Sequence, residues 1–135
     1  MFLKNYFFKE KIKQNSYFIW NSKKKNIETI KQFKPLDLKL IIGVDSQKEI
    51  LLKNTINFAE GNFTNNALLW GARGNGKSSL IKSVFHKILI SYKKLNLIQL
   101  NKNDIFDIEY ITSANSSGLI PFSIRLSLST KFVFI

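Results

Sequence analysis

Between residues 67 and 90 the chain changes from a continuous apolar run to a helical period. Ala67-Leu68-Leu69-Trp70 is a short apolar stretch of the kind a strand buried on both faces carries. From Ser79 to Ile90, apolar residues recur at Leu80, Ile81, Val84, Phe85, Ile88 and Leu89, while Lys82, Ser83 and Lys87 fall off that stripe. The pattern predicts strand, loop and helix in that order. Upstream, Ser46-Gln47-Lys48-Glu49 reads as a capping box. It predicts a helix running to about Glu60, with Ile50, Leu51, Asn54 and Phe58 near one another and Gly61 as the stop. Leu97-Ile98-Gln99-Leu100 predicts a second strand, and Asp104 to Ile111 a short helix.

The flanks differ in character. Residues 1–35 read as a basic, aromatic arm, with Phe2, Tyr6, Phe7, Phe8, Tyr17, Phe18 and Trp20 among lysines. Aromatics of this kind dock an arm onto a core more often than they bind single-stranded nucleic acid. Pro35 marks a break. Residues 36–111 hold the predicted core, and residues 112–135 form an atypical C-terminal segment. There Thr112 to Gly118 is polar and turn-rich, Ser123 to Ser129 alternates as an edge strand does, and Phe132 to Ile135 is apolar. No internal repeat is present.

Composition narrows the classes. The 135 residues suffice for one ordinary domain, and a hydrophobic content of 44% argues against global disorder. No apolar stretch reaches the ~18–20 residues of a membrane helix. The N-terminus has no secretory signal pattern. Cysteine is absent, which excludes disulfides and thiolate-ligated metals and suits a cytoplasmic location. The net charge of +12 admits nucleic acid as a partner. Nearly all of it is lysine, however, with arginine only at Arg73 and Arg125, and arginine is the better reader of bases and phosphates.

The chemistry concentrates in one loop. Gly71-Ala72-Arg73-Gly74-Asn75-Gly76-Lys77-Ser78 fits the phosphate-binding pattern G-x-x-x-x-G-K-[ST] without a mismatch. Gly71 and Gly76 allow turns that a Cβ would hinder, so successive N–H groups can face phosphate oxygens. Lys77 supplies a cation for the β- and γ-phosphates, and the Ser78 hydroxyl is a ligand suited to Mg²⁺. Ser79 follows in the first turn of the predicted helix, whose dipole favours an anion. Gly71 to Ser79 are the candidate site residues, ATP and Mg²⁺ the expected cofactors.

The same residues carry a resemblance. Phe18-Ile19-Trp20, Leu40 to Lys48, Asn54-Thr55 with Phe58 and Gly61, and Asn65 to Leu80 resemble an uncharacterised bacterial AAA+ ATPase-like family of the P-loop NTPase superfamily, domain of unknown function 815. Leu97 to Ile105 is similar to that family's second strand and following segment. The resemblance covers about residues 17–111, and its specific part is the string Leu68-Leu69-Trp70-Gly71-Ala72-Arg73-Gly74 through Gly76-Lys77-Ser78-Ser79. It implies ATP binding on an α/β core of AAA+ type, cytoplasmic location and oligomerisation. The expected fold is therefore a partial P-loop core, a short parallel sheet with flanking helices.

One departure sets the expected activity. Such proteins carry an apolar strand ending in acids that hold Mg²⁺ through water and orient the attacking water. Lys131 to Ile135 resembles the start of that strand, and no acid follows. Asp45 reads as a helix-start residue; Asp104, Asp107 and Glu109 read as solvated. His86, the only histidine, has no ligand role, and Arg73 reads as a variable loop position. The expectation is nucleotide binding with little or no hydrolysis from a truncated member. Alternative readings are a small kinase or GTPase, a basic nucleic-acid-binding module, and a non-functional fragment.

Overall fold

The computed structural model describes residues 11, 14–109, 111 and 122–127. Four strands form one sheet: β1 (Tyr17–Asn21), β2 (Asn26–Thr29), β3 (Asn96–Asn101) and β4 (Phe122–Ser127), in the order β2-β1-β3-β4. β1 runs parallel to β3, and β3 parallel to β4. β2 turns back antiparallel on β1. The architecture is mixed α/β, and the sheet is mixed where a purely parallel one was predicted. Helices α1 (Asp45–Ala59) and α2 (Lys77–Leu89) accompany it.

Alternation along β1 and β3 divides the core in two, because successive side chains leave a strand on opposite faces. Phe18, Trp20, Ile98 and Leu100 pack with Ile27 and Ile111 on one face. The segment after β3, a 3-10 helix at Lys102–Asp107, covers that face through Ile105. Leu95 and Leu97 join the other cluster, with Leu51 of α1 and the α2 residues Leu80, Ile81, Val84, Phe85 and Ile88. The predicted α2 stripe is thus the buried one. Ser83, predicted to lie off it, is also buried, and its hydroxyl has no hydrogen-bond partner.

Residues 17–29, read from the sequence as part of a basic arm, form the β1–β2 hairpin, which places β1 inside the described sheet and β2 on its outer side. Their aromatics explain this: Phe18 is 0% and Trp20 2% exposed. Trp20 Nε1–H donates to Asp107 Oδ2 at 2.8 Å, so the buried indole has its acceptor. Lys25, in the turn with φ +47°, reaches Asp107 Oδ1 at 2.6 Å. Lys11 Nζ donates to Ile27 O at 2.8 Å, which occupies a carbonyl on the outer strand.

The helix ends differ from each other in how well they match the sequence. α1 begins after Val44 with no side-chain cap, so the expected Ser46–Glu49 box does not form. Lys48 organises this end instead: its ammonium donates to Ile41 O at 2.5 Å and pairs with Asp45 at 2.7 Å. The other end stops as predicted. Gly61 takes φ +80°, its N–H bonds Phe58 O at 3.0 Å, and Asn62 N–H bonds Asn57 O at 3.0 Å. These two bonds are a Schellman ending, which glycine at that position permits.

Predicted elements beyond residue 127, including Phe132 to Ile135, lie outside the described residues, as do residues 112–118. Among the described strands β4 is last in the order, and it covers Ser123 to Ser127 of the stretch read as an edge or half-exposed strand.

Two predictions follow from the two core faces. Replacing Asp107 by Ala removes the acceptor that the Trp20 N–H and the Lys25 ammonium share, and lowers stability by about 1–3 kcal/mol, measured by urea denaturation. Tyr17 stacks on Phe33 at 3.6 Å between ring centroids, meets Phe85 edge-on at 5.3 Å, and lies 3.0 Å from His86 Nδ1 through its hydroxyl. Burial pushes its phenol up to about 12. The neutral phenol therefore contributes stability that is complete below its ordinary value of about 10 and is lost as pH rises toward 12. Absorbance titration of the phenolates is expected to show a late step that disappears in Tyr17→Phe.

Candidate functional site

The loop at residues 71–76 joins an extended lead-in to the first turn of α2. The lead-in differs from its expectation. Only Leu68 makes an isolated bridge; Leu68 is 48% and Trp70 80% exposed. Ala67 and Leu69 face the helical side of the core, so the segment is buried on one side only. The reason is topological. Both edges of β3 are taken, by β1 and by β4, and residues 67–70 have no place in the described ladder. Asn54 Nδ2 holds the lead-in to α1 by donating to Asn65 O at 3.1 Å.

Within the loop, Gly71, Gly74 and Gly76 have φ of +146°, +86° and +74°. Gly76 is the residue before the helix, and it sits there in a left-handed conformation. Its carbonyl accepts the first helical bond from Leu80 N–H at 2.8 Å. The N–H groups of Lys77, Ser78 and Ser79 therefore belong to the first turn, where no helical carbonyl can reach them. A dipole end and unpartnered donors meet at this one place.

Lys77 does not extend into solvent. Its ammonium turns back over the loop and donates to Gly71 O at 3.0 Å and Ala72 O at 2.6 Å. Asn75 Nδ2 is also close, 3.8 Å from where a Cβ on Gly71 would stand. Ala72, Arg73, Gly74, Asn75 and Gly76 are exposed, while Gly71, Lys77, Ser78 and Ser79 are half-buried. The structure thus brings the candidate residues Gly71 to Ser79 into one curl capped by a cation. Ser78 lies in the first helical turn. Arg73 projects from the exposed part of the loop.

The other residues singled out in the sequence lie elsewhere. Asp107 is engaged by Lys25 and Trp20, and the Lys25 hydrogen bond, then that of Trp20, holds its carboxyl below the usual range. Asp104 is largely buried, against the expectation of a solvated residue. Asp45 pairs with Lys48. His86 is exposed beside the Tyr17 hydroxyl. Among the described residues no group of three acids or histidines is placed to hold a metal ion. Sequence reasoning did not anticipate the bonds of Lys77 to its own loop; the spacing of Gly71 and Lys77 was their only trace.

A mixed α/β chain with a glycine-rich curl at the start of a helix is the class that the fold and this site define. Within it, the family described as "Protein of unknown function (DUF815)" matches residues 13–118, and the chain belongs to that family. No curated protein and no solved structure matches it. No helix among the described residues is long and apolar enough to cross a membrane.

Gly76 offers a test of the curl. A Cβ there would meet nothing within 4 Å, so Gly76→Ala is penalised by its φ of +74° alone. The cost is about 1–2 kcal/mol, read as a lower midpoint of thermal unfolding.

Proposed function

We propose that this chain binds a nucleoside triphosphate with Mg²⁺ through residues 71–79, in the manner of a P-loop protein of AAA+ type. The observation that carries the reading is the position of the Lys77 ammonium. It rests on the Gly71 and Ala72 carbonyls, within the same curl as the first-turn N–H groups of α2. A polyphosphate fits this arrangement as a charged chain fits a ring of donors: backbone amides take its oxygens, and Lys77 offsets its charge. Gly76 keeps the backbone close to the anion, and a larger residue in its conformation would be strained.

Bound Mg²⁺ would lower the negative charge on the phosphates, and the Ser78 hydroxyl is the group in this chain that would hold it. The remaining residues have narrower tasks. Ser79 completes the first turn, the Asn75 amide lies near Gly71, and Ala72 and Arg73 form the exposed lip of the curl.

The proposed activity is binding with little or no hydrolysis. Hydrolysis requires a group that orients the attacking water. Among the described residues no carboxylate is bonded to Lys77 or Ser78. Glu28, Asp45, Glu60 and Asp107 are bonded instead to Lys24, Lys48, Tyr92 and Lys25 respectively.

Tryptophan fluorescence tests this reading directly. The chain has two tryptophans; Trp70, next to Gly71, is 80% exposed and Trp20 is 2% exposed. Mg-ATP is expected to change the exposed component, and Trp70→Phe to abolish that change. Lys77→Ala is expected to weaken binding at least about tenfold, the loss of about 1.4 kcal/mol from a charge-assisted contact. Saturating Mg-ATP is expected to raise the unfolding midpoint of the unaltered chain. Equal affinity in Lys77→Ala, or no shift in the melt, would remove the proposal.

A further inference from the structure

A second cavity-like feature has no place in that reading. An opening of about 600 Å³ lies between the 3-10 turn Leu38–Leu40, the outer face of α1 and the last turn of α2. It is therefore at the end of α2 away from the loop. Its apolar floor is built by Leu38, Leu52 and Ile56, all half-buried. Leu52 and Ile56 share a face because they are four positions apart on α1, while Leu51 and Thr55 turn the adjacent face inward.

Lys39, Lys53 and Lys87 line the same opening, and all three are exposed. Among the described residues none of them takes part in an ion pair. Of the three carboxylates that line the opening, one is ion-paired. Asp45 is matched by Lys48, which also lines the opening, at 2.7 Å, and Asp37 accepts the Lys39 backbone N–H at 3.0 Å. Asp37 and Glu49 remain, two carboxylates against three ammonium groups. The net charge of +12 adds to the positive field. Lysine stems also extend the apolar wall, since their methylenes lie along it while their heads reach water.

No aromatic ring is among the described residues that line the opening, so a nucleobase would find no stacking platform there. Aliphatic floor and cationic rim together suit another ligand class. We propose that this opening binds an unbranched aliphatic chain with a single anionic head, a fatty carboxylate of intermediate length. The volume lies within the range of about 300–1,000 Å³ common for small-molecule sites.

Calorimetric titration of the full chain with decanoate, kept below micelle formation, tests this. Decyltrimethylammonium and decanol are run as the opposite-charge and neutral arms. The expected result is saturable one-to-one binding of decanoate, at least about tenfold tighter than that of the cation. It should weaken about tenfold in the double variant Lys53→Glu/Lys87→Glu and stay unchanged in Lys77→Ala, which separates it from the nucleotide site. Both replaced lysines are exposed, and a thermal melt checks that the variant folds. Leu52→Ser, which shortens the floor, is expected to weaken decanol and decanoate alike. Non-saturable uptake, equal affinity for the cation, or undiminished affinity in the charge-reversed variant would overturn the proposal.

Discussion

The burial of β3 on both faces is the constraint from which the rest of this molecule follows. Leu97 and Leu95 face the two helices, whereas Ile98 and Leu100 face the aromatic pair Phe18 and Trp20. A strand with two apolar faces must be covered twice, and exposing either side would forfeit roughly 25 cal/mol for each Å² of apolar surface. α2 covers one side, and the 3-10 helix after β3 helps to cover the other. Because β1 takes one edge and β4 the other, the residues before the glycine-rich loop run outside the described ladder.

That displacement bears on the candidate site. The curl of residues 71–76 is held mainly from its helical side, by the Gly76 carbonyl at the head of α2 and by Lys77 folded over the turn. Its outer residues are exposed. A cation resting on two carbonyls gains only modest net energy in contact with water, since both partners are otherwise hydrated. A polyphosphate bound as proposed would therefore compete with weak bonds and meet a backbone already bent.

The helices and β3 were legible because their signals are local. The α2 stripe from Leu80 to Ile88, the stop at Gly61 and the apolar run at residues 97–100 each declare themselves within a few turns of chain. The loop was legible for the same reason: its glycines and Lys77 stand at fixed spacing. What the sequence hid was pairing at a distance. Nothing local says that Tyr17 to Asn21 rather than Ala67 to Trp70 lies against β3, since both are short apolar runs. The competition is decided by packing: Phe18 and Trp20 have partners in Ile98, Leu100 and Ile111, while Leu68 and Trp70 remain exposed. The capping box failed because the helix starts at Asp45, after Val44, so Ser46 lies inside the first turn and not at the N-cap. Ser83 was misplaced because a small hydroxyl beside Val84 is buried as readily as it is exposed.

The bond between Trp20 and Asp107 spans 87 positions of chain. During synthesis, N-terminal segments leave the ribosome first, yet the hairpin that carries Trp20 has neither its neighbour strand nor its acceptor until the later segment emerges. The aromatic side chains at 18 and 20 must wait with their rings uncovered. Residues 18 and 20 are made well before the segments that close their native contacts.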